Sequence, residues 1–330
     1  MARISDVAKL AGVSVATVSR VLAGQNNVSD ATRTRVLESV KALDYRPDLA
    51  ARRLRSGKTD TLGLIVSDIR NPYFTDISRA IEDVAYARGM RVLLCNADED
   101  PAKERFYLEM MRDENVAGVI LSPTLPLLSK FQACDFSFPV VLVDRSELAT
   151  EADAVVLDNI DAAHRLARHL LERQCRRIAF FYGAASATGS QRLQGLQTAL
   201  AEAGLTPFAV PVKPTTEDAR QALCAWLAQQ VDMPDAIVAS SGLILLGLAE
   251  GLRERGLRYP DDLLFAGFDD MTWTRIVSPA ITVIAQPTAD IGRSAIELLL
   301  ARIAQPQQAM RRIVMRGKLL IRGSSQRAVD

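Results

Sequence analysis

Histidine and cysteine are scarce, with 2 and 4 of them in 330 residues. Cys95, Cys134, Cys175 and Cys224 lie roughly 40 residues apart with no C-x-x-C pair, so zinc-ligand spacing is missing and reduced, buried thiols are expected. His164 and His169 are five apart on one expected helix, which turns them to different faces; a shared metal is disfavoured and both are expected at the surface. No apolar run approaches the roughly 20 residues of a membrane helix. Met1 is followed by Ala-Arg-Ile-Ser-Asp rather than the apolar core of a signal peptide, so the expectation is a cytosolic protein with no membrane partner. No G-x-G-x-x-G or G-x-x-x-x-G-K-[ST] loop follows an apolar strand, and neither a G-x-S-x-G elbow nor an H-E-x-x-H pair occurs. A nucleotide-dependent enzyme is therefore disfavoured. No catalytic residue, cofactor or metal is expected.

What the chain does have is length, 48% apolar composition and an uneven charge. It can bury a large core and fill two or three domains. The net charge of +1 hides an asymmetry, because residues 1 to 58 hold 11 Lys and Arg against 5 Asp and Glu, a net +6, leaving −5 on the rest. A cationic end on a slightly acidic body fits approach to a polyanion through that end alone; an ordinary solvated face is the alternative.

Within that end, Ile4, Val7, Ala8 and Ala11 follow helical spacing and Gly12 stops the helix. Ser14 is placed to cap a second helix buried through Val18, Val21 and Leu22, with Gly24 after it. Ser29 can cap a third, with Val36, Leu37, Val40 and Leu43 inward and Tyr45 closing it before Pro47. The tight Gly12-Val13-Ser14 link makes the first two a helix-turn-helix. The second helix must then present Ser14, Val15, Ala16, Thr17, Ser19 and Arg20 outward, residue types that touch phosphates, base edges and thymine methyls when such a helix enters the major groove. A three-helix packing module with a polar face is the alternative.

In "YRPDLAARRLRSGKT", Asp48 can cap and Gly57 can end a helix of about two turns, too short to stand alone. Arg52, Arg53 and Arg55 around Leu54 suit a minor groove, where an apolar wedge unstacks a base step. A basic linker reads the same residues equally simply.

The stretch "ISDVAKLAGVSVATVSRVLAG…VSDATRTRVLESVKALDYRPDLAARRL" resembles the DNA-binding headpiece and hinge helix of the lactose and galactose repressor family. The resemblance implies base reading by Val15, Ala16 and Arg20, phosphate contacts at Asn27 and Tyr45, and an intercalating Leu54 flanked by Ala51 and Arg55. Arg3 departs from the family, many of whose members cap the first helix with threonine there.

From Leu62 the pattern changes to short apolar runs, "LGLIVS", "RVLLC", "AGVILS", "VVLVD" and "AVVLD", alternating with helices near Tyr73 to Arg88, Ala102 to Glu114 and Leu127 to Ala133. A second set, "RIAFFYG", "AIVAS" and "LLFAGF", alternates with helices near Ala162 to Arg173, Gln191 to Ala203, Glu217 to Gln230 and Leu243 to Glu254. Alternation of this kind means α/β architecture with parallel sheets, here two doubly wound lobes with a cleft at the carboxyl ends of their strands. Polar groups recur there: Asp68 and Arg70, Asp144 and Arg145, Ser241, Asp269 and Asp270, with Arg192 opening a helix after a Gly183 to Ser190 loop. Each alone reads as a surface or capping residue; their recurrence on one edge favours a binding site.

The resemblance continues through "SDIRNPYFTDISRAIED", "QRLQGLQTAL", "AGFDDMTWTRIVSPAITVIAQP" and "GKLLIRGSS" to the family's effector domain, which is similar to periplasmic sugar-binding proteins. It implies ligand contacts at Tyr73, Phe74, Asp144, Arg192 and Asp269. It also implies three crossings between lobes, near Asn159, Gln286 and Arg312, dividing the chain into a headpiece (1–46), a hinge (47–59) and an effector domain (60–330). Lobe 1 is then about 60–159 with 286–311, and lobe 2 about 160–285 with 312–330. Ser241-Gly242 stands where many sugar-binding members carry Asn-Asp. With "SPTLP" and "VDR", this looks most like the fructose-repressor and catabolite-repressor-activator branch, and it leads to an expected phosphorylated or acidic sugar whose anion Arg145 or Arg192 holds.

The expectation is thus a homodimeric transcriptional repressor that reads double-stranded operator DNA under control of a sugar or phosphorylated or acidic sugar effector. No heptad repeat near the C-terminal end provides a tetramer-forming zipper. A sugar sensor without an operator, or a sugar-modifying enzyme with a grafted headpiece, are the alternatives.

Overall fold

The computed structural model describes residues 2–22, 27–45, 59–147 and 150–326. The chain divides into two compact units, Met1–Thr59 and Asp60–Asp330.

The first unit holds α1 (Ile4–Ala11), α2 (Val15–Leu22) and α3 (Asp30–Ala42) around Val7, Ala8, Ala11, Val18, Val21 and Val36. Gly12 ends α1 in the left-handed conformation at φ 63°, which glycine adopts at no steric cost. Ser14 accepts a hydrogen bond from the Thr17 N–H at 3.2 Å, capping α2 through its hydroxyl. At the start of α1, Arg3 stands in the cap position, and the Asp6 carboxylate accepts its backbone N–H at 2.8 Å. That bond is the acidic half of a capping box, so α1 starts here without a threonine. Two expectations need correction. Ser29 holds the cap position of α3 but donates its hydroxyl to Thr32 Oγ1 instead of capping, and Leu37 is half exposed. The turn of α3 that would bury Leu37 buries Ser39 instead, whose hydroxyl is satisfied by the Arg35 carbonyl.

The second unit is two α/β lobes. The first begins with β1 (Thr61–Val66), α4 (Pro72–Ala87), β2 (Arg91–Asn96), α5 (Pro101–Asp113), β3 (Gly118–Leu121), α6 (Leu125–Leu128), β4 (Val140–Val143) and β5 (Asp153–Leu157). The chain then crosses into α7 (Asn159–Glu172), β6 (Ile178–Gly183), α8 (Ala187–Ala201), β7 (Phe208–Val212), α9 (Thr216–Leu227), β8 (Ala236–Ala239), α10 (Gly242–Glu254), β9 (Leu264–Phe268), α11 (Thr272–Ile276) and β10 (Thr282–Ala285). It returns through α12 (Thr288–Ala304) to β11 (Arg312–Met315) and ends with β12 (Lys318–Leu320). The sheets run β11-β5-β4-β3-β1-β2 and β12-β10-β9-β8-β6-β7, and every pairing is parallel except β10 with β12. In both, strand order reverses around the first strand of the lobe, so β1/β3 and β6/β8 are the switch points where such sheets open a crevice.

The sheet order corrects the expected third crossing. Arg312–Met315 pairs with β5 in the first sheet, and only β12 joins the second, so the crossing falls at 316–317 and not at Arg312. The helix expected over Leu127 to Ala133 is the single turn α6 followed by a 3-10 turn at Ala133–Asp135. Cys134 is exposed, Cys224 half-buried, and only Cys95 and Cys175 are buried thiols. His169, expected at the surface, is buried and its Nε2 lies 2.8 Å from Ser325 Oγ. His164 stays near the surface beside Glu202.

Candidate functional site

In the first unit, Val15, Ala16 and Arg20 are exposed on α2, while Thr17 and Ser19 are half-buried. Positions 15, 16, 19 and 20 are related by helical i, i+4 spacing and form one outward stripe at the start and end of α2. Ser14 is exposed, and its hydroxyl lies 2.9 Å from Thr17 Oγ1, so these two polar groups already satisfy each other. Asn27 is exposed; Tyr45 is half-buried against the three-helix core, its N–H bonded to the Val40 carbonyl. Ala51, Leu54 and Arg55 lie outside the described residues.

In the second unit, the carboxyl edges of the two sheets face each other across a cleft of about 610 Å³, its open mouth included. Lobe 1 supplies Tyr73 and Phe74 from the start of α4, with rings edge to face at 5.0 Å. Asn71 caps that helix by accepting the Tyr73 N–H, and Pro72 follows at its first turn, so the two aromatics are held where the strand-to-helix turn meets the cleft. Lobe 2 supplies Arg192 and Ser241. Arg192 was expected to open its helix; α8 instead starts at Ala187, and Arg192 comes from its second turn.

Two aspartates occupy matching places. Asp144 follows β4 and Asp269 follows β9, each the fourth strand of its lobe in chain order. Both have left-handed backbones, φ 70° and 75°, and each N–H bonds the carbonyl of a residue on the next strand, Val155 and Ile284. Left-handed non-glycine residues are uncommon, and aspartate is among the side chains that tolerate the region. The repeated kink turns both carboxylates toward the cleft.

Burial shapes the charges. Asp144 is held above its ordinary pKa by desolvation, which outweighs Arg145 and Arg192 nearby, and desolvation also raises the Tyr73 phenol, with Asp144 adding to it. Arg192 is lowered by desolvation; its Nε donates to Asn159 Oδ1 at 2.8 Å, one terminal nitrogen donates to the Ser240 carbonyl at 2.5 Å, and the guanidinium lies 4.1 Å from the Phe268 ring centre. Desolvation opposes charge on Arg145 as well, but Glu99 outweighs it and the guanidinium stays fully protonated. Both terminal nitrogens of Arg145 are thus engaged by Glu99, and Arg192 bonds Asn159 and Ser240, whereas the expectation was an anion held by Arg145 or Arg192. Asp269 Oδ2 accepts the Gly242 N–H at 2.8 Å and its Oδ1 accepts the Gln286 amide at 2.7 Å. A Cβ at 242 would lie 2.2 Å from Met271 Cε, so this flexible side chain would have to move to admit any residue larger than glycine.

Among the described residues, five buried side-chain polar atoms lack an aligned hydrogen bond, and four of them line this cleft: the Tyr73 hydroxyl, Arg145 Nε, the Ser241 hydroxyl and Gln286 Oε1. Arg145 Nε lies 3.2 Å from Asp144 Oδ2, and the convergence of all four atoms on one concave surface suits it to a polar ligand. Sequence reasoning missed Glu99 and Gln286, because it looked beyond β1, β4, β6, β8 and β9 and not beyond β2 and β10. Asp68 reaches the cleft, whereas Arg70 is an exposed partner of Asp68, and Asp270 turns away to Arg322 and Arg275. No group of three or more potential metal ligands occurs among the described residues, and none of their helices is long and apolar enough to cross a membrane.

A helix-turn-helix unit followed in the chain by a two-lobed, periplasmic-binding-protein-like unit defines a ligand-controlled DNA-binding regulator. Residues 3–48 match the model of bacterial regulatory proteins of the lacI family, and residues 167–325 match the periplasmic binding protein-like domain. The HTH-type transcriptional regulator PtxS of Pseudomonas aeruginosa is 34% identical over 98% of this chain and 95% of its own. A solved complex of the transcriptional regulator CelR with cellobiose has TM-score 0.72 at 29% identity, covering 98% of this chain and 100% of that one. The lac repressor dimer bound to operator and the anti-inducer ONPF has TM-score 0.89 at 23% identity, covering 98% and 99%, a likeness of fold. The chain belongs to the LacI family of bacterial regulatory proteins.

Proposed function

We propose that this protein represses transcription by binding a two-fold operator as a homodimer, under control of a sugar held between its lobes by Tyr73, Phe74, Asp144, Arg145, Arg192, Ser241 and Asp269. The observation that carries the effector reading is the convergence on the cleft of four buried polar atoms that lack an aligned hydrogen bond. Family membership and the outward stripe of α2 support base reading by Val15, Ala16 and Arg20, with Ser14, Thr17, Ser19, Asn27 and Tyr45 on phosphates. Resemblance alone supports a hinge at 47–59 with Ala51, Leu54 and Arg55 in the minor groove.

A second copy is supported by apolar exposure beside an open sheet edge. Edge strand β2 exposes Leu94, and Tyr86 and Phe106 stand exposed on α4 and α5 to either side. Such exposure is what a partner covers. Relatives of this chain are transcriptional regulators, and the cleft reads as a binding site and not a catalytic one.

Selection of bound genomic fragments, followed by footprinting with and without candidate sugars, tests the whole reading. A symmetric protected site whose occupancy a sugar changes is the expected result. Absence of any sequence preference at moderate salt overturns it, and recovery of a chemically altered sugar from the complex would favour an enzyme instead.

A further inference from the structure

We propose that Glu99 is a specificity-determining residue: by filling the fork of Arg145 it withholds that guanidinium from anionic sugars, and the cleft selects uncharged ones. The proposal rests on the reading of the cleft as a sugar site.

Arg145 is 5% exposed, and its two terminal nitrogens find acceptors inside the protein. One terminal nitrogen donates to Glu99 Oε2 at 2.7 Å and to the Pro123 carbonyl at 3.2 Å, while the other donates to Glu99 Oε1. The Nε stands 3.2 Å from Asp144 Oδ2. This is the bidentate geometry by which a free carboxylate or phosphate would itself be bound. Glu99 therefore takes the place of such a ligand.

Its presentation is built into the loop after β2. Asp98 and Glu99 are consecutive residues with left-handed backbones, φ 54° and 56°. Asp98 is pinned there by the Asn96 amide at 2.9 Å and by Lys103 Nζ at 2.6 Å. The bend carries Glu99 to the mouth of the cleft, where its side chain is 30% exposed and within reach of an incoming ligand.

The charge balance points the same way. Asp68, Glu99, Asp144 and Asp269 line the cleft against Arg145 and Arg192. Setting aside Asp68, which Arg70 neutralises from outside, carboxylates still outnumber guanidiniums. An anionic sugar would place its charge beside Asp144 and Asp269, where like charges in a poorly solvated site repel strongly. Uncharged hydroxyls meet no such barrier. They can donate to the same carboxylates.

Calorimetry on the full-length protein tests this with matched pairs: ribose and ribose 5-phosphate, glucose and gluconate, fructose and fructose 1-phosphate. The wild type is expected to bind the neutral member of its preferred pair at least about tenfold more tightly, and E99Q to shrink that preference, read as the ratio of the two affinities, by about tenfold. E99D, too short to fill both arms of the fork, serves the same purpose should E99Q not fold. A wild-type preference for the charged member, or an unchanged preference in the folded variant, overturns the role of Glu99 and leaves the sugar site standing. Binding of no sugar in either form overturns both.

Discussion

At the scale of single residues, the least expected placement is His169. Its ring is buried on α7 against Ser325, whose hydroxyl also meets Thr282 Oγ1 at 2.5 Å, so the closing segment of the chain is tied to the core of lobe 2. Desolvation, with Arg173 adding to it, lowers the His169 pKa below its ordinary 6.5. The unfolded chain therefore takes up the proton first as pH falls, and stability present above about pH 6.5 is lost below it. Urea unfolding of wild type and H169Q is expected to show a wild-type advantage at pH 7.5 that narrows toward pH 5.5; a pH-independent difference would count against this. The sequence could not show this burial. A helix with polar residues on several faces leaves the buried side of position 169 undecided until Ser325 arrives 156 residues later. Asp144 and Asp269 were legible because each sits just beyond an apolar strand, Arg192 because a loop-to-helix boundary lies nearby, and Tyr73 and Phe74 only through the family resemblance, whereas Glu99 depends on two left-handed residues that no pattern announces.

At the scale of elements, two helix pairs come together over a glycine. Gly195 of α8 faces the Ile160 carbonyl of α7, and Gly247 of α10 faces the Thr216 carbonyl of α9; a Cβ at either would lie 2.1 Å from that oxygen. Glycine inside a helix costs about 1 kcal/mol relative to alanine, so its presence needs such a reason. Gly195→Ala is expected to lower unfolding stability by about 3 kcal/mol by forcing α7 and α8 apart, despite the gain in helix propensity. A loss under about 0.5 kcal/mol in chemical denaturation would show that the pair adjusts freely. Strong strands and amphipathic helices could be read from their apolar periods. Half-exposed β7 and short β10, β11 and β12 could not, since their identity depends on the neighbour each one pairs with. That dependence is also why the third crossing was misplaced: "RIVM" is a strand in either lobe until β5 claims it.

At the scale of the molecule, the cationic and sugar-binding parts are separable. Residues 1–59 form one compact unit, and every residue lining the cleft belongs to the other, which carries the net negative charge. Among the described residues the headpiece core is small, with six buried apolar side chains, while the body has four larger clusters of its own. A fragment of residues 60–330 is therefore expected to fold and to bind the effector within about threefold of the full-length affinity. Its net −5 leaves it without the phosphate-neutralising charge that makes DNA binding salt-dependent, so it should show no operator binding even at low salt. Communication between the sites needs both units. Coupling is a free energy shared by two ligands, so operator DNA should shift the sugar affinity of the full chain by the same factor as sugar shifts its operator affinity, typically about 5- to 150-fold, and leave the fragment's unchanged. Calorimetric titration of each form with and without operator measures this directly. An operator effect on the fragment, or a fragment affinity more than about tenfold weaker than that of the intact chain without DNA, would mean that the headpiece takes part in forming the sugar site.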